Sequence, residues 1–249
     1  MNYLSDILAK KAVEVQNLPE YPIVPDCTCD FQTLAQRPIV IAEIKASSPS
    51  VGPISDNFNP TAQAQKYTDG RASAISVLTD RNGFGGSFEI LRDVRAMTDT
   101  PLLCKDFIID EKQIRHARMH GADIVLLIVK ALTPEKILNL KDCAENLGMR
   151  ALVEIQNDDE LAVAKSIGAD FVLLNTRDLV TFVEDRASAN DLALRVPGDM
   201  TLIYASGIKT PESICDLPRN IDGCLIGTAL MRSENPTQFI RSARQYLPQ

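Results

Sequence analysis

Eight short runs rich in β-branched and other apolar residues recur along the chain, each followed by a segment with a different period. The runs fall at 39–45, 74–79, 102–105, 124–128, 151–155, 171–175, 202–205 and 223–227, and most close on a polar or glycine residue. Segments such as 61–67, 88–97, 111–120, 134–147 and 158–167 carry apolar residues every three or four positions. That spacing predicts helices packed on a sheet. Pro60, Pro134 and Pro211 stand where helix starts favour proline. Alternation of this kind leaves two architectures, a doubly wound sheet or a closed barrel. The first strand-to-helix turn reads Ser-Ser-Pro-Ser-Val-Gly, and neither the dinucleotide glycine fingerprint nor a phosphate-binding P-loop occurs in the 249 residues. An unbroken repeat of roughly 20–35 residues therefore predicts an α/β fold, a (β/α)8 TIM barrel over residues 38–249. Residues 1–37 form an N-terminal helical extension, with a helix over 6–16 and a link through Pro19, Pro22 and Pro25. The extension is expected to be a lid or brace, not a domain.

Charge narrows the partners. With 33 acidic against 26 basic residues the chain carries −7, which gives no broad attraction for nucleic acid or anionic lipid. No apolar run approaches the ~18 residues of a membrane span, and the first residues show no signal-peptide core. A cytoplasmic protein with no nucleic-acid or membrane partner is expected. The six cysteines suggest reduced thiols, because they make no disulfide framework. Cys27 and Cys29 are one close pair with neither a second pair nor a nearby histidine, which is poor support for a metal site. His116 and His120 lie four apart on one helix with no third ligand evident, so exposed helix positions are expected and no metal. The acidic stretch 158–160 reads as a solvated helix start. Cys104 points out of the barrel into the helix layer, as core and not as a nucleophile.

Residues two apart on a strand point to the same side. Placing Ile39 and Ile41 inside the barrel also places Glu43 and Lys45 inside, nearer the C-terminal end. The same phase turns Leu103 and Lys105, Leu152 and Glu154, and Phe171, Leu173 and Asn175 inward. Each series begins apolar and ends polar at the face where barrel enzymes hold their active sites. Two lysines and two carboxylates in one partly dry mouth shift one another's proton affinities, and a lysine so placed is a better acid near neutral pH. Buried ion pairs add little net stability, so a purely structural purpose explains four such charges poorly.

The last two strands end on small residues, Ser206-Gly207 after the seventh and Gly227-Thr228 after the eighth. Backbone N–H groups can approach a phosphate there, the usual place in barrels. The loop 46–58 after the first strand is rich in serine, proline and glycine and lies beside this site, as closing lids do.

These segments resemble the indole-3-glycerol phosphate synthase family. The resemblance rests on AEIKASSPSVG (42–52), ISVLTDRNGFGGSFE (75–89), LLCKDFIID (102–110) and GADIVLLIVKAL (121–132). It continues through LVEI (152–155), LLNTRDL (173–179), SGI (206–208) and LIGTALMR (225–232). It implies a cofactor-free and metal-free lyase that closes an indole ring on 1-(2-carboxyphenylamino)-1-deoxyribulose 5-phosphate, losing carbon dioxide and water, in tryptophan biosynthesis. By that resemblance Lys105 protonates the ketone oxygen as the ring forms. Lys45 holds the aromatic carboxylate and assists dehydration, with Glu43 as its orienting or basic partner. Glu154 handles protons in the later steps and Asn175 orients substrate. Ser48, Ser206, Gly207, Gly227 and Thr228 match the phosphate cradle, and Phe84, Phe107, Leu126 and Leu179 the slot for the anthranilate ring. The expected partner is a phosphorylated small molecule. A monomer or weak homo-oligomer is expected, with association with other tryptophan-pathway enzymes left open.

The chain departs from the family pattern at strand seven, where Ala205 stands at the position of a glutamate. Alanine accepts no proton and balances no lysine, which implies retained but slowed chemistry. Ala46, Ser47 and Val51 make the first loop less basic than in relatives, and Gly83 replaces a common aromatic, which would widen the ring slot. Two other readings follow from the residues. A sugar-phosphate isomerase or aldolase on the same barrel fits less well, because Glu43, Lys45 and Glu154 are not an isomerase's acid/base pair. An altered or catalytically impaired paralogue that binds a phosphorylated ligand or a partner rests on Ala205 alone.

Overall fold

The computed structural model describes residues 3–48, 52–54 and 58–248. Its strands are β1 Ile39–Ile44, β2 Ala74–Leu78, β3 Leu102–Lys105, β4 Ile124–Ile128, β5 Arg150–Ile155, β6 Phe171–Asn175, β7 Thr201–Ala205 and β8 Gly223–Ile226. Each pairs in parallel with the next, and β8 returns to β1 through Ile39↔Gly223 to Ala42↔Ile226, closing the barrel. A side chain at Gly223 would run into the Ile39 carbonyl, so the closing strand starts on a residue without one. Main helices are α1 Tyr3–Gln16, α2 Pro60–Asp69, α3 Phe88–Arg95, α4 Glu111–Met119, α5 Pro134–Asn146, α6 Asp158–Ser166, α7 Arg186–Ala193 and α8 Pro236–Tyr246. Between β7 and β8 Pro211 starts only a 3-10 turn, Glu212–Asp216, where its position alone favoured an α-helix. Pro218 follows closely and leaves no room for more turns.

The period of two divides the core in two. Ile39, Ile41, Leu103, Leu152, Phe171, Leu173 and Leu225 fill the barrel interior as one cluster. Their neighbours Val40, Ala42, Cys104, Val153, Val172, Leu174 and Cys224 pack outward against the helices in another. Burial pushes the Cys104 thiol up to about 12, so it stays protonated and inert. Helix starts are capped by side chains: Asn59, Ser87, Asp110, Thr133, Asn157, Asp185 and Asn235 each accept a backbone N–H of the first turn. Such caps contribute about 1 kcal/mol apiece. At α6 the acidic start is less solvated than its charge implied. Asp158 and Asp159 are exposed, but Glu160 is buried, accepting from Gln156 N (2.7 Å) and Asn157 Nδ2 (2.9 Å).

The extension packs along the barrel from rim to base. Helix α1 lies against the C-terminal rim, where Leu4 and Ile7 join the interior cluster beside Phe107 and Leu126. Tyr3 packs edge-on against Phe182, in the loop after β6, with ring centroids 4.7 Å apart. Lys11 is completely buried, with Nζ 3.0 Å from Asp80 and 2.8 Å from Asp106 at the tips of β2 and β3. Burial alone would strip its proton, but Asp106 and Asp80 outweigh that and raise its proton affinity. The chain then descends past α4, where Glu20 pairs with Lys112 at 3.0 Å. At the other end Cys27 N donates to Leu147 O (2.7 Å), and Leu34 enters the interior cluster below β1.

His116 and His120 are half-buried, not exposed. Their rings lie 4.3 Å apart with planes tilted by 50°, and His116 meets Phe88 edge-on at 4.4 Å. The interface between α3 and α4 and the descending chain covers both. Burial, then the neighbouring His120, lowers the His116 pKa to about 4, and its Nδ1 is buried without a hydrogen-bond partner.

Two outcomes follow. Removing one partner of the buried triad should cost about 3–5 kcal/mol, so Lys11→Met should lower the urea midpoint correspondingly with an unchanged m-value. The unfolded chain protonates His116 near pH 6.5 and the folded protein only near 4, so folding stability should fall as pH drops through that window. His116→Phe should flatten that part of the stability–pH curve, measured by urea titration at each pH.

Candidate active site

One cleft of about 610 Å3 opens at the C-terminal ends of the strands. Every residue singled out above for chemistry, phosphate binding or the ring slot lines it: Glu43, Lys45, Lys105, Glu154 and Asn175; Ser48, Ser206, Gly207, Gly227 and Thr228; Phe84, Phe107, Leu126 and Leu179. Strand phase is the cause. Glu43, Lys105, Glu154 and Asn175 each stand two residues beyond an interior apolar one, Ile41, Leu103, Leu152 and Leu173, so closing the barrel brings these polar tips to one rim.

Charged side chains from the ends of β1, β3 and β5, continued by Asn175 and Ser206 at the ends of β6 and β7, form one line. Lys45 Nζ is 2.6 Å from Glu43 Oε1. Lys105 Nζ stands 3.9 Å from Glu43 Oε2 and 3.9 Å from Glu154 Oε2. It is thus held electrostatically between two carboxylates, neither close enough to take a short hydrogen bond. Glu154 Oε1 accepts from Asn175 Nδ2 at 2.9 Å, and Asn175 Oδ1 accepts from Ser206 Oγ at 2.8 Å. Burial would push the Glu43 carboxyl up, but Lys45 and Lys105 together hold it below the ordinary range. Glu43 therefore stays ionised at neutral pH.

At the other side of the cleft the tips of β7 and β8 lie next to each other. Ser206 and Gly207 both have left-handed backbones, at φ 74° and 72°, a conformation that costs a non-glycine residue energy and is retained where a turn demands it. Gly227 lies directly under the Glu43–Lys45 pair. A Cβ there would overlap Glu43 Oε1 and come within 2.8 Å of Lys45 Nζ. The exposed cations Lys209 and Arg232 line the same part of the cleft, giving an anion more than backbone dipoles to meet. Ser48 is buried at the start of a two-residue ribbon pairing Ser47–Ser48 with Gly52–Pro53. Val51, and the 49–51 and 55–57 parts of the loop expected to close over the site, lie outside the described residues.

The ring slot is bounded by Phe84 and Phe107, whose centroids are 6.5 Å apart, with Leu126 deeper. Gly83 does not widen it. A Cβ at Gly83 would meet Tyr3 Oη at 2.7 Å, Asp80 Oδ2 at 3.0 Å and Ile7 Cδ1 at 3.4 Å, so helix α1 already fills that space.

Several lining residues escaped the sequence reading. Asp106 directly follows Lys105 and is fixed by Lys11, by Thr79 Oγ1 (2.7 Å) and by the Phe107 N–H (2.7 Å). It anchors the tip of β3 from below. Arg177 and Glu184 form an ion pair inside the cleft, on the loop after β6. The spacing of Arg177, two residues beyond Asn175, was an available signal; nothing in the sequence marked Glu184.

The family model described as indole-3-glycerol phosphate synthase matches residues 9–243. Proteins named indole-3-glycerol phosphate synthase from Listeria monocytogenes serovar 1/2a and Chloroherpeton thalassium are 41% and 45% identical to the chain. The alignments cover 98% and 94% of this chain and 99% and 96% of those relatives. Among solved structures, 3-hexulose-6-phosphate synthase from Salmonella typhimurium superposes with a TM-score of 0.67 at 16% identity, over 84% of this chain and 98% of its own. The tryptophan synthase α subunit of Legionella pneumophila does so at 0.61 and 14%, over 99% and 98%. These last likenesses concern the barrel alone. With the closed eight-stranded sheet, the line of ion pairs at its rim and a match over nearly its whole length, the chain belongs to the indole-3-glycerol phosphate synthase family.

Proposed function

We propose that this protein closes the indole ring of indole-3-glycerol phosphate from 1-(2-carboxyphenylamino)-1-deoxyribulose 5-phosphate, as a carboxy-lyase of tryptophan biosynthesis. The observation that carries this reading is Lys105, whose ammonium stands between Glu43 and Glu154 at the floor of a cleft with an apolar slot beside it and two small-residue turns across it. An acid so placed faces a ketone held between an aromatic ring and a phosphate.

The carbon that bears the carboxylate bonds to the ketone carbon, and the carbonyl electron pair moves to oxygen, which takes a proton from Lys105. The carbon–carboxylate bond then breaks, its electron pair restores the aromatic ring, and carbon dioxide departs. A second proton turns the new hydroxyl into water, and the carbon next to nitrogen gives up a proton as the double bond forms. Overall one proton is consumed for each carbon dioxide and water released. Lys45 is the cation for the substrate carboxylate, with Glu43 holding it. Glu154, steadied by Asn175, is the carboxylate for the later proton transfers. Ser48, Ser206, Gly207, Gly227 and Thr228 hold the phosphate, and Phe84, Phe107, Leu126 and Leu179 hold the ring. Positioning of this kind, with acid–base help, supplies most of what such a reaction requires.

Residues 1–37 serve as a clamp on the catalytic barrel of residues 38–249. The setting is cytoplasmic and the working unit a monomer or weak homo-oligomer, open to association with neighbouring enzymes of the pathway. Among the described residues no helix is long and apolar enough to cross a membrane.

The reaction is followed by the fluorescence of the indole product. Purified protein should turn over the anthranilate-ribulose phosphate, and Lys105→Ala should lower kcat by about 10²–10⁴-fold; equal, absent product from both proteins would reject the assignment. Because a Cβ at Gly227 displaces both Glu43 and Lys45, Gly227→Ala should cost about 10²-fold in kcat/KM. Its circular dichroism should stay native, and steady-state kinetics beside that spectrum decide the point.

A further inference from the structure

Ala205 leaves a gap in the charge pattern of the mouth. It sits at the tip of β7, buried, in register with Asn175 on β6 and Leu225 on β8. On the family reading a carboxylate belongs there. Among the described residues five carboxylates line the cleft: Glu43, Asp80, Asp106, Glu154 and Glu184. Asp80 and Asp106 are taken by Lys11, on the β2–β3 side. Glu43 is taken by Lys45, and Glu154 is engaged by Asn175 and faces Lys105. Glu184, paired with Arg177, is the one of these that stands on the β6–β7 side, where Ala205 is.

Its position is built in. Residues Arg177 and Glu184 form an antiparallel bridge that folds the loop after β6 back on itself. Asp178 Oδ1 accepts the N–H groups of Val180 (2.9 Å) and Thr181 (2.7 Å), and Phe182 adopts a left-handed backbone at φ 59°. The Glu184 carboxylate then reaches the turn after β7: its Oε2 lies 3.3 Å from where a Cβ on Gly207 would stand. Its other oxygen pairs with Arg177, whose backbone N–H donates to Asn175 Oδ1 at 3.1 Å. Asn175 in turn holds Glu154. The pairing with Arg177 also allows a carboxylate to stand beside the phosphate turn without opposing an anion there.

We propose that Glu184 supplies, from the loop after β6, the carboxylate that Ala205 does not, and so acts as a positioning residue for the Arg177–Asn175–Glu154 line. No bond is made or broken at its oxygens. It returns one negative charge to the β6–β7 side of the mouth and fixes Arg177. The proposal rests on the ring-closure reading above.

The test is a mutant cycle in the purified full chain, with the anthranilate-ribulose phosphate as substrate. Glu184→Gln should lower kcat by about 10–100-fold, with a smaller change in KM, and should shift the acid limb of the kcat–pH profile. Glu184→Asp should retain most of the activity. Ala205→Glu alone should change kcat less than about threefold, whereas in the Glu184→Gln background it should recover at least about tenfold. Active wild type with an indistinguishable Glu184→Gln would overturn the proposal and leave the ring-closure reading intact. Loss in Glu184→Gln that Ala205→Glu does not repair, with a lowered Tm, would overturn it in favour of a purely structural pair. Wild type without turnover would remove the ring-closure reading, and this proposal with it.

Discussion

The ammonium of Lys11 is taken wholly out of water and shared between Glu14 of its own helix and two carboxylates just past the ends of different strands. A charge in that position is costly to strand and is stable only while all its partners are present. It therefore ties helix α1 to the tips of β2 and β3 as one unit. Asp106, one of the two partners, is the residue next to Lys105, and its other oxygen and backbone contacts anchor the same strand end. The position of the proposed acid thus depends on a residue far away in sequence that never enters the cleft. Apolar contacts from Leu4, Ile7 and Tyr3 complete the attachment.

Above that base the mouth works as a graded electrostatic field. Lys45 is bound tightly to Glu43, whereas Lys105 is attracted to two carboxylates and close to neither. The difference assigns the two lysines different capacities, one as a fixed cation and the other as a donor with a free direction. Glycine at 227 is what allows the tight pair to lie against the floor of β8. The small-residue turns after β7 and β8 line the same cleft as that pair.

Much of the architecture could be read from the chain because the barrel strands are buried on both faces, and each keeps a strict period of two. Glu43, Lys105, Glu154 and Asn175 followed from that phase alone, since an inward apolar residue two places earlier fixes where each points. Ser206 and Gly207 followed from position after the seventh strand. Three features did not. Lys11 looks like any lysine of an amphipathic helix, and only the docking of α1 reveals that it is buried. Gly83 reads as empty space until Tyr3 and Ile7 are seen to fill it. The half-buried pair His116 and His120 faces a chain segment whose path, past Tyr21 and down the side of α4, no local pattern predicts.

The route of the amino-terminal segment bears on biosynthesis. Helix α1 is translated before Asp80, Asp106 and Phe182, which receive it. Until the tips of β2 and β3 have been made, Lys11 has only Glu14 of its own helix to pair with, and until the loop after β6 exists Tyr3 lacks the Phe182 ring it rests on. A helix made ahead of every barrel strand is accordingly among the last to find its seat, and a nascent chain stalled before residue 182 would hold a partial barrel with its rim still open.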